Sequence, residues 1–197
     1  MNIFYRLGDK VYINLTNSCP NDCVFCIRQL KDSVGDADTL WLPRDPELHE
    51  IKTAFDAFDL QGMTEIVFCG YGDPMERADI VLEICYYIRE KTALPIRINT
   101  CGAVNLSLSE TDIRCLEIAD SVSVSLTAAD AKEYLRLTQS KHGEAAYQAM
   151  LDFARKASTV TKVYFSVVDV IGPENIEKCR KIADSMGIPL RVRATDV

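Results

Sequence analysis

No apolar run in this sequence approaches the roughly 20 residues that a membrane-spanning helix requires, so the chain reads as one that does not enter a bilayer. It has no low-complexity linker and no repeat beyond its secondary-structure rhythm, which is expected of a single domain over residues 1–197. Positive charge is in the minority. With 22 Lys and Arg against 29 Asp and Glu the formal net charge is -7, which argues against a general nucleic-acid surface. There are two histidines, His49 and His142, both in stretches that read as helix or loop, and no lysine stands at a strand end suited to imine chemistry. That absence weighs against a βα isomerase or aldolase. The opening MNIFYRLGDK carries charges where a signal peptide needs an apolar core, so the expected location is the cytoplasm, where thiols stay reduced. Disulfides then explain little of the 8 cysteines.

What is present is an alternation of short β-branched runs with amphipathic stretches. Strands are expected at 10–16, 65–70, 95–100, 121–127, 162–170 and 189–194. Helices are expected near 45–60, 77–92, 109–118, 129–137, 143–157 and 174–186, with Ser109 as a cap and Gly62 and Gly187 near exits. A full eight-unit barrel takes about 250 residues. Six units in this length predict a partial (βα)6 TIM-like barrel of parallel strands with outer helices; an open doubly wound sheet is the other solution. Either form places chemistry at the carboxyl ends of the strands. The longest stretch without periodicity, 27–43, reads as an active-site loop.

Three of the cysteines, Cys19, Cys23 and Cys26, are gathered in NLTNSCPNDCVFCIRQL (14–30), directly after the first expected strand. Their spacing also fits one face of a helix, so an apolar stripe is one reading, and a zinc site completed from elsewhere, in a binding or scaffolding protein, is another. Pro20, Asn21 and Asp22 favour a turning loop. Thiolates this dense suit soft metals, iron–sulfur clusters among them. Cys69, Cys85, Cys101, Cys115 and Cys179 are isolated, so a second cluster is not expected.

The C-x3-C-x-Φ-C pattern of Cys19, Cys23, Phe25 and Cys26 resembles the signature of the radical S-adenosylmethionine enzymes. The resemblance implies a [4Fe-4S] cluster held by the three cysteines, its open iron taken by the amino and carboxyl groups of S-adenosyl-L-methionine. It extends along the chain. Gly70, Tyr71, Gly72, Asp73 and Pro74 resemble the family's G-x-G-E-P turn, which receives the methionyl amine, with aspartate in place of glutamate. The shorter acid gives up about 1.5 Å of reach, which would leave backbone carbonyls as the main amine ligands. Asn99 and Thr100 resemble the third strand's polar end, with Cys101 as a small buried residue; Ser125 resembles a position near ribose and carboxylate. Arg136 or Lys141 would neutralise that carboxylate, and Val168, with Val170, would wall the adenine beside Phe25. An external electron donor of the flavodoxin or ferredoxin type is implied too. The segments NLTNSCPNDCVFC, FCGYGDP and KHGEAAY (141–147) resemble the small TatD-associated radical enzymes in particular. The family's reaction is reductive cleavage of S-adenosylmethionine to a 5′-deoxyadenosyl radical that takes hydrogen from a substrate, here unidentified and small or macromolecular. In the last strand Arg191 and Arg193 fall on one side, where they would grip an anionic substrate if turned inward and decorate an edge if turned outward.

Overall fold

The computed structural model describes residues 1–194; residues 195–197, to which the expected domain extends, lie outside the described residues. Two four-residue strands open the chain, β1 (Phe4–Leu7) and β2 (Lys10–Ile13), joined by the two-residue loop Gly8–Asp9 into an antiparallel hairpin with Leu7 opposite Lys10. After a short helix, α1 (Ile27–Leu30), βα units follow: α2 (Leu48–Ala57), β3 (Glu65–Phe68), α3 (Ala78–Lys91), β4 (Ile96–Thr100), α4 (Glu110–Ile118) and β5 (Ser121–Ser125). Two helices, α5 (Ala131–Thr138) and α6 (Ala145–Ala157), lead to β6 (Lys162–Val168), and α7 (Pro173–Met186) leads to β7 (Leu190–Arg193).

All seven strands form one sheet in chain order, parallel from β2 to β7. This is the expected partial TIM-like arrangement with one strand more than the sequence suggests. The extra strand is β1, whose four residues are too few to show a period. Its inclusion buries Tyr5 and places Arg6 over the Phe58 ring. Among the described residues β7 and β1 do not pair, so the sheet stays open between its first and last strands.

Alternation along the strands separates two chemistries. Val11, Ile13, Ile66, Phe68, Ile96, Ile98, Val122, Val124 and Phe165 are buried in one cluster with Ile51 of α2, Ile84 and Ile88 of α3, Leu116 of α4 and Met150 of α6. The opposite face carries Tyr12, Glu65, Arg97, Asn99, Ser123, Tyr164, Ser166, Arg191 and Arg193. Helix ends follow local chemistry. Ser109 and Asp112 form a reciprocal cap on α4, Pro173 opens α7, and Gly187 closes α7 in a left-handed turn. Gly62 instead belongs to the turn before β3, because α2 ends earlier, at Ala57. No helix among the described residues is long and apolar enough to cross a membrane.

Candidate active site

Cys19, Cys23 and Cys26 sit, partly exposed, on the loop between β2 and α1, at the carboxyl end of β2. Backbone bonds pin this loop to the end of α5 and the residues just after it. Asp22 N–H donates to Thr138 O at 2.8 Å, Val24 N–H to Leu137 O at 3.0 Å, and Lys141 N–H to Pro20 O at 2.8 Å. Arg28 ties back to Asp22 at 2.7 Å. Partial burial pushes both Cys19 and Cys23 up to about 12, with the Asp73 carboxylate adding to the first and Cys26 to the second. Cys19 thus lies within electrostatic reach of Asp73, and Cys23 within reach of Cys26. As thiolates they would repel, so the set favours a bound cation, which would displace their protons.

The turn after β3 docks on this loop. Gly72 N–H donates to Thr16 O at 3.0 Å and Asp73 N–H to Ser18 O at 2.8 Å. The approach needs glycine. A Cβ on Gly72 would lie 2.4 Å from Ser18 O and 2.5 Å from Thr16 O, and one on Gly70 would lie 1.9 Å from Asn14 Oδ1. Tyr71 is buried; its hydroxyl donates to Lys31 O and its ring meets Trp41 edge-on, so it clasps the stretch that follows the cysteines. The buried Asp73 carboxylate is taken up by the chain: Oδ1 accepts Met75 N–H at 3.0 Å, and Oδ2 accepts Thr100 Oγ1 at 3.0 Å and Cys101 N–H at 2.7 Å. Desolvation holds this acid above its ordinary value, with the three donors pulling the other way.

The remaining expected residues divide. Phe25 is half-buried against the core, Asn99 accepts Arg97 Nη1 at 2.7 Å on the inner face, and Ser125 and Val168 stand at the ends of β5 and β6. Arg136 is not brought to them: its side chain is 64% exposed and paired with Glu133 at 2.7 Å. Val170, offered with Val168 as adenine wall, is exposed beyond β6. Lys141 does reach the site's rim, bonding Glu76 at 3.1 Å. Sequence reasoning missed Asn14 and Asn21, each buried with its Oδ1 unpaired. Their signal was available, since both stand in the quoted NLTNSCPND.

Among the described residues no three Cys, His, Asp or Glu side chains are already gathered around a metal-sized point. The fit to a cluster and its nucleotide rests instead on the donor set: three neighbouring thiols, two orphaned buried acceptors at Asn14 and Asn21, and a glycine turn with no room for a Cβ. On those grounds the residues fit.

No curated protein matches the chain. Among solved structures, native anSMEcpe with bound AdoMet is 12% identical with a TM-score of 0.61, over 93% of this chain and 50% of that one. The same protein with bound AdoMet and Kp18Cys peptide is 11% identical with a TM-score of 0.66, over 93% and 50%. At such identity the likeness is one of fold, and this chain spans about half the length of those structures. Residues 13–186 match the family model described as Radical SAM superfamily, and the chain belongs to that superfamily of enzymes.

Proposed function

We propose that Cys19, Cys23 and Cys26 hold a [4Fe-4S] cluster and that the adjoining turn binds S-adenosylmethionine. Bound there and reduced by a flavodoxin- or ferredoxin-type donor, the cluster would supply one electron to cleave S-adenosylmethionine to methionine and a 5′-deoxyadenosyl radical, which would abstract hydrogen from substrate. The protein's work is placement and exclusion of water. Backbone carbonyls of the Gly70–Asp73 turn receive the amine, with Asp73 holding that turn against β4. Asn14 and Asn21 offer their free oxygens, Phe25 and Val168 shelter the adenine, and Ser125 faces the ribose. Tyr71 keeps the stretch after Cys26 closed over the site.

One observation carries this reading: the glycine turn is hydrogen-bonded to the cysteine loop by two backbone N–H groups, Gly72 to Thr16 and Asp73 to Ser18. Two motifs far apart in sequence are thus held against each other. A third, KHGEAAY, also meets the loop through Lys141 N–H and Pro20 O. The narrower assignment to the TatD-associated group, as one radical core over residues 1–197 acting in the cytoplasm, rests on the sequence of these three segments. The bound peptide named for the neighbouring structure favours, by fold alone, a site open to a peptide-sized substrate.

Anaerobic reconstitution followed by iron, sulfide and zinc analysis tests the assignment. We expect about four irons per chain, lost on changing Cys19, Cys23 and Cys26 to alanine, and 5′-deoxyadenosine on adding S-adenosylmethionine and dithionite. Stoichiometric zinc without sulfide, and no nucleotide binding, would establish a zinc-stabilised scaffold instead.

A further inference from the structure

Barrel interiors are ordinarily filled with branched apolar side chains. Here the inner face of the sheet is polar on strand after strand. Register places Tyr12 level with Val67 and Arg97, Asn99 beside Ser123 and Tyr164, Ser166 beside Arg191, and Val168 beside Arg193. Between these strands lies a cavity of about 430 Å³. Small-molecule sites run roughly 300–1,000 Å³.

Its charges are unevenly committed. Arg97 is already neutralised: Nε and Nη2 reach Glu65 at 3.0 and 2.9 Å. Arg191 and Arg193 also line the cavity, at its solvent-exposed side on the last strand, and have no ion pair with any described residue. The Arg191 guanidinium lies 3.5 Å from the centroid of the Tyr164 ring. Stacking of that kind fixes the plane of the fork and leaves its N–H edges for an oxyanion. Tyr164 supplies an independent sign. It is only 7% exposed, it lines the cavity, and its buried hydroxyl has no hydrogen-bond partner. Native folds pair nearly all such groups, so this hydroxyl has a hydrogen bond to spare for a water or for a polar group that enters beside the ring.

We propose that this cavity is the substrate site and takes a substrate bearing a carboxylate or phosphate group, held by Arg191 and Arg193 with the Tyr164 hydroxyl donating a hydrogen bond. Ser123 and Ser166, 3.3 Å apart, offer neutral polar contacts to the rest of the molecule. The role as substrate site rests on the radical reading above. Its position supports that reading: Asn99 lines the cavity one residue before Thr100, whose hydroxyl bonds Asp73 of the glycine turn at 3.0 Å. Val168, the expected adenine wall, stands in register with Arg193, one step nearer the strand ends than Ser166 and Arg191.

The test is titration of the cluster-loaded chain with inorganic phosphate and with acetate at constant ionic strength, followed by 15N signals of the arginine side chains. Saturable shifts are expected with at least one anion, and the tighter of the two identifies the group. Binding should weaken at least tenfold in the R191Q/R193Q pair and about fivefold in Tyr164→Phe, whose milder change guards against misfolding. Arg155→Gln, on the outside of α6, should bind as wild type. Neither anion saturating, or saturation that the R191Q/R193Q pair does not move, overturns the proposal. So does displacement by saturating S-adenosylmethionine, since the arginines would then serve the cofactor's carboxylate. Production of 5′-deoxyadenosine by wild-type protein is scored separately. If it occurs without anion binding, the reaction stands and the site falls; anion binding without it removes the reaction and with it the role as substrate site.

Discussion

Asp73 accepts the backbone N–H of Cys101 at 2.7 Å, fastening the turn after β3 to the end of β4. With Thr100 and Met75 also donating to it, this carboxylate is a structural clasp at the site's edge. Removing it in Asp73→Ala strands three buried donors, at about 1–3 kcal/mol each before relaxation, so a net loss of about 3 kcal/mol is expected in urea unfolding of the metal-free chain. Asp73→Glu is the sharper case. It restores the acid that the family's turn carries, yet the added methylene must enter a filled site, at about 1–3 kcal/mol. A glutamate variant as stable as wild type would show that the clasp is not what selects aspartate here.

Gly72→Ala should separate the turn from the cysteine loop. The new Cβ meets backbone oxygens of Thr16 and Ser18, which cannot rotate away. Iron retained after reconstitution is expected to fall several-fold, with a lower melting temperature. At Gly70 the obstacle is a side chain, Asn14. Adding Asn14→Ala should therefore offset part of the Gly70→Ala damage, with a coupling above about 0.5 kcal/mol in a double-mutant cycle. Strict additivity would place the two residues apart.

The βα rhythm and the cysteine loop were legible because both are local: alternation marks strands, and Pro20 with Asn21 and Asp22 marks the loop. β1 was not, since Phe4–Leu7 is too short for a period and gains its stability from pairing with β2. The alternating polar residues of RIN, SVSVS and RVR were visible, but which side they face depends on register across six strands. Asp73 is a similar case. Its motif announces a site, while its three donors come from nearby Met75 and from residues 27 and 28 positions away, which only the pairing of β3 with β4 brings near. Arg136 looked eligible by position alone. Helical spacing gave it Glu133 as a nearer partner.

At the start of α2, Arg44 holds both oxygens of Glu50 at 2.7 Å, and Glu47 N–H adds a third bond at 2.8 Å. Chiefly through the Arg44 bonds, Glu50 is held down to about 2 from its ordinary 4.5. An acid depressed in the fold binds fewer protons there than in the unfolded chain, so stability rises with pH between those two values. Its contribution is thus whole above about 4.5 and fades as pH falls toward about 2. The melting-temperature gap between wild type and Glu50→Gln should be widest near neutrality and close toward pH 2. A constant gap would mean that packing, and not charge, underlies the effect.

Glu65 and Arg97 pair across β3 and β4 with side chains 19% and 11% exposed. Burial makes the pair costly to break singly, because the survivor keeps its charge and loses its partner. Glu65→Gln leaves Arg97 with Asn99 as a neutral acceptor at 2.7 Å, so a loss near the low end, about 3 kcal/mol, is expected. Replacing both residues with apolar ones of similar size, Glu65→Leu with Arg97→Met, should recover most of that loss. Salt discriminates further. Lys10 reaches the same glutamate at 3.6 Å from a more exposed position. Its part should fade by 1 M salt, where the Debye length is about 3 Å, while the Glu65–Arg97 coupling persists. If salt abolished the coupling between Glu65 and Arg97, solvent would have to reach them.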